Sequence, residues 1–131
     1  MKRFNITVNG KAYDVNVTGI SESFNKLYTE NTKRTLDTRG EMFLDPIGTF
    51  IGHTVEFAPL NNPDEFNELW DFFIIPHAEG FPVEIADGKT TISYEAYTST
   101  GARKLMYIRD GVPYWEGMSI NLIPMRAQLL P

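Results

Sequence analysis

The chain has 131 residues, a formal net charge of −5 and no cysteine. That length supports one domain with room for a core, and the lack of cysteine excludes disulfides, thiolate-bound zinc and cysteine nucleophiles. The acidic balance argues against a general phosphate or nucleic-acid binder, and no stretch approaches the roughly 18 apolar residues of a membrane span.

The chain opens "MKRFNITVNG". Two cations are followed by alternating polar residues rather than an apolar run, so no signal peptide is expected. Phe4, Ile6 and Val8 alternate before Asn9-Gly10, and Tyr13, Val15 and Val17 alternate after it. Asn-Gly accepts positive φ at both central positions of a type I′ turn, which predicts a hairpin with Ile6 opposite Tyr13 and Phe4 opposite Val15. The two Asn-X-Thr matches at Asn5 and Asn16 fall inside these strands and carry no glycosylation reading.

Residues 19–40 are polar, with isolated Phe24, Leu27, Tyr28 and Leu36. Frequent Thr and Asn and few helix formers favour extended chain. A long, weakly patterned connection in a small domain is often a working loop, so residues 26–43 are read as a mobile arm or hairpin. Thr49, Ile51, His53, Val55 and Phe57 then share one face of a strand, after a bend at Pro46 and Gly48.

One helix is expected, over about Pro63–Ile74 in "NNPDEFNELWDFFIIP". Asn62 caps, Pro63 takes the first helical position, and Glu65 completes a capping box. Phe66, Leu69, Trp70 and Phe73 form one apolar stripe, and Pro76 ends the helix. Two further hairpins are predicted. One turns at Asp87-Gly88, with Phe81 and Val83 opposite Tyr94 and Ile92. The other turns at Asp110-Gly111, with Met106 facing Trp115 and Pro113 disturbing the start of its strand. The apolar phase changes after Gly117, which calls for a β-bulge there. Residues 99–103 read as a mobile loop and 124–131 as a short tail without a strand partner.

The sum is a mainly β, β-rich α+β fold: a small antiparallel β-sandwich or barrel with one packed amphipathic helix, in a single domain over 1–131.

Few residues carry a chemical motif. His53 and His77 belong to no HxH or HExxH pattern, acidic residues follow no calcium-loop spacing, and no nucleophile elbow or phosphate loop occurs. Asp64, Glu65, Glu68 and Asp71 fit a solvated helix face. No catalytic residue, cofactor, metal or small-molecule substrate is expected. A small enzyme built on His53 or His77 would need a concave site where carboxylates converge on them. Exposed Tyr97, Tyr107, Tyr114 or Trp115 would instead suit a monomeric carbohydrate- or host-surface-binding module. The partner-contact candidates are Lys33, Arg34, Asp37, Arg39, Tyr114 and Trp115.

One resemblance covers nearly the whole chain. Arg34, Thr35, Asp37 and Gly40 are followed by Ile47-Gly48-Thr49-Phe50, then by Leu69-Trp70 in the helix and Trp115 and Gly117 near the end. This order resembles small structural proteins of tailed phages and prophages of Gram-positive bacteria. The resemblance implies a tail-associated subunit with a tail-tube-like sandwich-plus-helix fold. It also implies partners that are other copies or other phage structural proteins, and a place in the virion after assembly in the host cytoplasm. Strand addition at open edges is the physical means such a subunit has of joining neighbours.

Overall fold

The computed structural model describes residues 5–13, 15–29, 33–34, 40–59, 63–86 and 90–130. In chain order these form β1 (Asn5–Val8), β2 (Val15–Tyr28), β3 (Lys33–Arg34), β4 (Met42–Phe43), β5 (Pro46–Pro59), α1 (Pro63–Ile74), β6 (Phe81–Ala86), β7 (Thr91–Tyr97), β8 (Gly101–Arg109) and β9 (Val112–Pro124). Seven strands make one curled antiparallel sheet, ordered β1-β6-β7-β9-β5-β2, with β8 also paired to β9. The mainly β fold with a single short helix is therefore observed, as a half-barrel.

The core follows from alternation. On β6 Phe81, Val83 and Ile85 are buried while Pro82 and Glu84 face out, and β5 and β9 repeat the pattern with Val55 and Phe57 and with Met118, Ile120 and Leu122. The helix lays Phe66, Leu69 and Phe73 against this face, with Trp70 partly buried beside them. Phe57 and Phe73 meet at 6.3 Å between ring centroids, and Phe73 and Phe81 at 5.9 Å. The helix ends at Ile74, and His77 Nε2 donates to the Phe72 carbonyl at 2.8 Å, satisfying one terminal acceptor. Asn62, the expected cap, lies outside the described residues.

The N-terminal turn forms as its chemistry requires, but the hairpin does not continue. Asn9 and Gly10 take φ of 52° and 79°, and Val8 and Lys11 exchange backbone hydrogen bonds at 3.0 Å. Beyond the turn the strands separate. Ile6 faces Ile85 of β6, not Tyr13, and Val15 faces Pro59 of β5. Pairing with β6 places Ile6 and Val8 in the core, which Tyr13 and Val15 could not provide across an isolated ribbon.

Two registers also differ. Val83 faces Tyr94 and Ile85 faces Ile92, two residues away from the predicted match. Such a slip keeps the same side chains buried, so the pattern alone does not select between them. In the last hairpin Leu105, not Met106, faces Trp115, and Met106 is an extra residue in β8. The predicted irregularity near Gly117 is present: Lys104 faces Gly117 and Leu105 faces Trp115, leaving Glu116 as the bulged residue.

Two segments read as loose are tied down. Residues 101–103 belong to β8, and Asn121 holds the preceding turn. Its Oδ1 accepts from the Thr98 hydroxyl at 2.8 Å and from the Ser99 and Thr100 amides at 3.0 Å, and its Nδ2 donates to Ser99 Oγ at 2.8 Å. The C-terminal segment does have a strand partner. Thr49 donates to Leu129 O at 2.8 Å, and the Gln128 side chain bonds both the N–H and the carbonyl of Ile51, at 2.9 and 2.8 Å.

Candidate assembly surfaces

β8 and β5 flank β9 on opposite sides, giving a four-stranded run β8-β9-β5-β2 within the larger sheet. Among the described residues no strand pairs with the outer edge of β8 or of β2. Unpaired N–H and C=O groups along such edges template further strands.

The β8–β9 hairpin extends past the stretch of β9 that pairs with β5. β5 pairs with β9 only from Met118 onward, and Gly117 still packs on the Phe57 carbonyl, so residues 112–116 have no paired β5 residue beside them. Asp110 and Gly111 close the hairpin with φ of 52° and 77°. Cross-strand partners share a face, so Tyr107, Tyr114, Arg109 and Val112 lie on one side, and Leu105, Trp115, Ile108 and Pro113 on the other. Met106, Ile108 and Val112 are more than half exposed. Four consecutive apolar residues on an uncovered edge strand form a surface that isolated proteins avoid.

Tyr114 and Trp115, expected as contacts, lie on this hairpin but on opposite faces. Tyr114 is partly exposed and stacks on Tyr107, with centroids 5.0 Å apart and planes 22° apart. Trp115 packs toward the helix side, where the Arg103 guanidinium sits 3.8 Å from its ring and 4.7 Å from that of Trp70. Asn67 Oδ1 accepts from Arg103 at 3.3 Å. Burial lowers the Arg103 pKa from its usual value, while Asp71 acts the other way.

At the other end of β5, the β2–β5 ribbon extends past the core. Phe24, which faces Ile51, is 69% exposed, and Leu27, Leu44 and Ile47 are exposed beside it. Thr29 donates its backbone N–H to Asp45 O at 2.8 Å near the ribbon's end. Beyond it Lys33 pairs with Phe43 and Arg34 with Met42 in the β3–β4 ladder. Asp37 and Arg39 lie outside the described residues. Lys33 and Arg34 thus belong to the Pro46 end of β5 and Tyr114 and Trp115 lie past its Phe57 end, so these residues do not form one site. Of the exposed apolar residues not singled out from sequence as contact candidates, Leu105, Met106 and Ile108 had one visible signal, the run "LMYI" just before the Asp110-Gly111 turn, while Phe24 stands isolated in a polar stretch.

Both histidines make contacts within the fold. His53 is 3% exposed. Its Nε2 lies 3.1 Å from the Glu22 carboxylate and its Nδ1 2.8 Å from the Tyr94 hydroxyl. A carboxylate only accepts, so Nε2 carries a proton, and in the neutral ring Nδ1 is then the acceptor for the Tyr94 hydroxyl. Burial, and then the Glu22 charge, push the Tyr94 pKa above its usual value. His77 packs on Phe72 and Phe81. Among the described residues no group of three His, Asp or Glu side chains is placed to hold a metal, and no helix is long and apolar enough to cross a membrane.

No family model and no curated protein matches the chain. A solved structure does: that of the Dit protein of phage SPP1, described as a paradigm of the hub adsorption apparatus in phages infecting Gram-positive bacteria. The match has a TM-score of 0.52 at 10% identity and covers 95% of this chain but 50% of the Dit chain. At that identity the likeness is one of fold, and this chain spans half of the Dit protein's length.

Proposed function

We propose that this protein is a tail-associated structural subunit of a phage or prophage, working through assembly with other copies or other phage structural proteins in the virion. The observation that carries this reading is the uncovered apolar edge of β8, Leu105 to Ile108, at one side of a sheet whose other side, β2, is also open. The likeness in fold to the phage hub protein supports it. Edges on opposite sides of one sheet are different surfaces, so joining β8 of one copy to β2 of the next is a head-to-tail contact. Such contacts give rings when they close and helical tubes when they do not. The 26–43 arm and the hairpin residues Tyr107 and Tyr114 then supply side-chain contacts around the backbone pairing.

Light scattering and electron microscopy across concentration test this. Oligomers are expected in the wild type, and Leu105→Lys with Ile108→Lys should return them to monomers with an unchanged far-UV spectrum. A chain that stays monomeric at every concentration and binds no tail protein of its own particle would overturn the proposal. Hydrogen exchange gives a second check: the part of the 26–43 segment beyond the β2–β5 ladder should gain protection on assembly, and strong protection there in a proven monomer would count against its role.

A further inference from the structure

The C-terminal end of α1, the turn at residues 98–100 and the start of β6 enclose an open groove of about 400 Å³. That is within the range of roughly 300–1,000 Å³ typical of small-ligand sites. Its floor is the buried surface of Phe73, Phe81 and Ile120. Trp70 and Tyr97 stand among its walls, and Tyr97 keeps 39% of its surface exposed. Thr98, Ser99 and Thr100 add three hydroxyl groups, and His77 an imidazole. Among the described residues no Asp, Glu, Lys or Arg lines the groove.

We propose that this groove binds a neutral saccharide. The lining gives an anion no cation and gives a cation no carboxylate. A wholly apolar ligand would leave the hydroxyl side unmatched on desolvation. A sugar carries both surfaces that the groove offers: a C–H face that packs on an aromatic ring and a ring of hydroxyls that need fixed partners. The polar partners are preorganised, because Asn121 fastens the turn through four hydrogen bonds. Ser99 Oγ accepts from Asn121 Nδ2, so it keeps its own proton to donate. Thr100 spends its amide on Asn121, and its hydroxyl has no partner among the described residues. His77 spends Nε2–H on the Phe72 carbonyl, which leaves Nδ1 of the neutral ring as an acceptor.

Tyr107 and Tyr114, the more visible aromatic pair, suit this ligand less well. Each gives one ring face to the other at 5.0 Å, on a hairpin that projects from the sheet. The groove is independent of the assembly reading, and a monomer would bind as an oligomer does.

Saturation-transfer NMR and amide titration of the full chain test the proposal. The probes are neutral hexoses, N-acetylhexosamines and their di- and trisaccharides, with glucuronate as a charged control. At least one neutral sugar should receive saturation and shift the amides of His77, Tyr97 and Ser99 to Gly101. Tyr97→Ala should weaken binding about tenfold. Thr100→Val, which keeps the side-chain shape and the amide bond to Asn121, should also weaken it, and Tyr114→Ala should not. The proposal is overturned by no transfer to any neutral sugar at roughly 20 mM, far above the weakest useful affinities. It is equally overturned by unchanged binding in folded Tyr97→Ala and Thr100→Val, by shifts confined to Tyr107 and Tyr114, or by groove shifts that follow protein concentration alone, which would mark a neighbouring copy as the occupant.

Discussion

The Tyr94 hydroxyl lies 2.8 Å from His53 Nδ1, and the two rings stack 5.7 Å apart. This contact joins β7 to β5, two strands that are not neighbours in the sheet. Tyr94→Phe leaves a buried nitrogen without its donor and should cost about 1–3 kcal/mol in urea unfolding. His53→Leu removes the need for that donor. In the double variant the Tyr94→Phe cost should therefore shrink, and strict additivity would show that the bond carries no coupling.

Tyr94 also sets an alkaline limit. Its folded pKa is raised by burial and by Glu22, so the folded state holds the phenolic proton more tightly than the unfolded chain. Its contribution is fully present below the unfolded value, near pH 10, and is lost as pH rises from there, by at most about 1.4 kcal/mol per pH unit. Lys11, raised mainly by its hydrogen bond to Glu68, and Tyr13, raised mainly by burial, share this window. The informative measurement is the difference in slope between wild type and Tyr94→Phe above pH 10, where the variant should be flatter.

Arg103 should matter more for its plane than for its charge. It lies against both Trp70 and Trp115. Arg103→Ala is expected to lose about 1–3 kcal/mol and to red-shift tryptophan emission. Arg103→Lys should recover only part of both, because an ammonium cannot stack on two rings.

Glycine replacements should separate close approach from turn geometry. A Cβ at Gly117 would lie 2.7 Å from the Phe57 carbonyl oxygen, whereas one at Gly10 would meet nothing within 4 Å. Gly10→Ala then carries only the cost of its positive φ, about 1–2 kcal/mol. Gly117→Ala should cost more, because β9 must move away from β5, and thermal unfolding will rank the two.

Gln128 imitates a strand residue with its side chain. Gln128→Glu replaces the amide donor with an acceptor against the Ile51 carbonyl. The segment should loosen, with faster hydrogen exchange at Thr49, whose amide bonds Leu129, and little change in global stability.

Local chemistry was legible in the sequence where one short stretch decides it. Asn9-Gly10 and Asp110-Gly111 adopt the positive φ values their residue types predict, and Pro63 with the Phe66-Leu69-Trp70-Phe73 stripe marks the helix correctly. Alternation also identifies β5 as a strand, whereas beyond Val17 only composition marks β2 as extended. Partners were not legible, because Ile6 and Val8 fit against any apolar strand and a slip of two residues preserves every buried face. The clamp at residues 98–100 depends on Asn121, which no local pattern links to it. Of the surfaces, the β8 run could be read directly, while the groove requires three distant segments to meet.

The parting of the strands after Asn9-Gly10 bears on the order in which the molecule folds. The turn can form within its own few residues, but β1 is completed only by β6, after β5 and α1 have been made. A chain emerging from the ribosome must hold Ile6 and Val8 unmatched until Phe81–Ala86 has appeared. The loop closed at that point is long, and such non-local pairing slows folding. The growing chain, before β6 has appeared, is accordingly the species for which chaperones and premature association would compete.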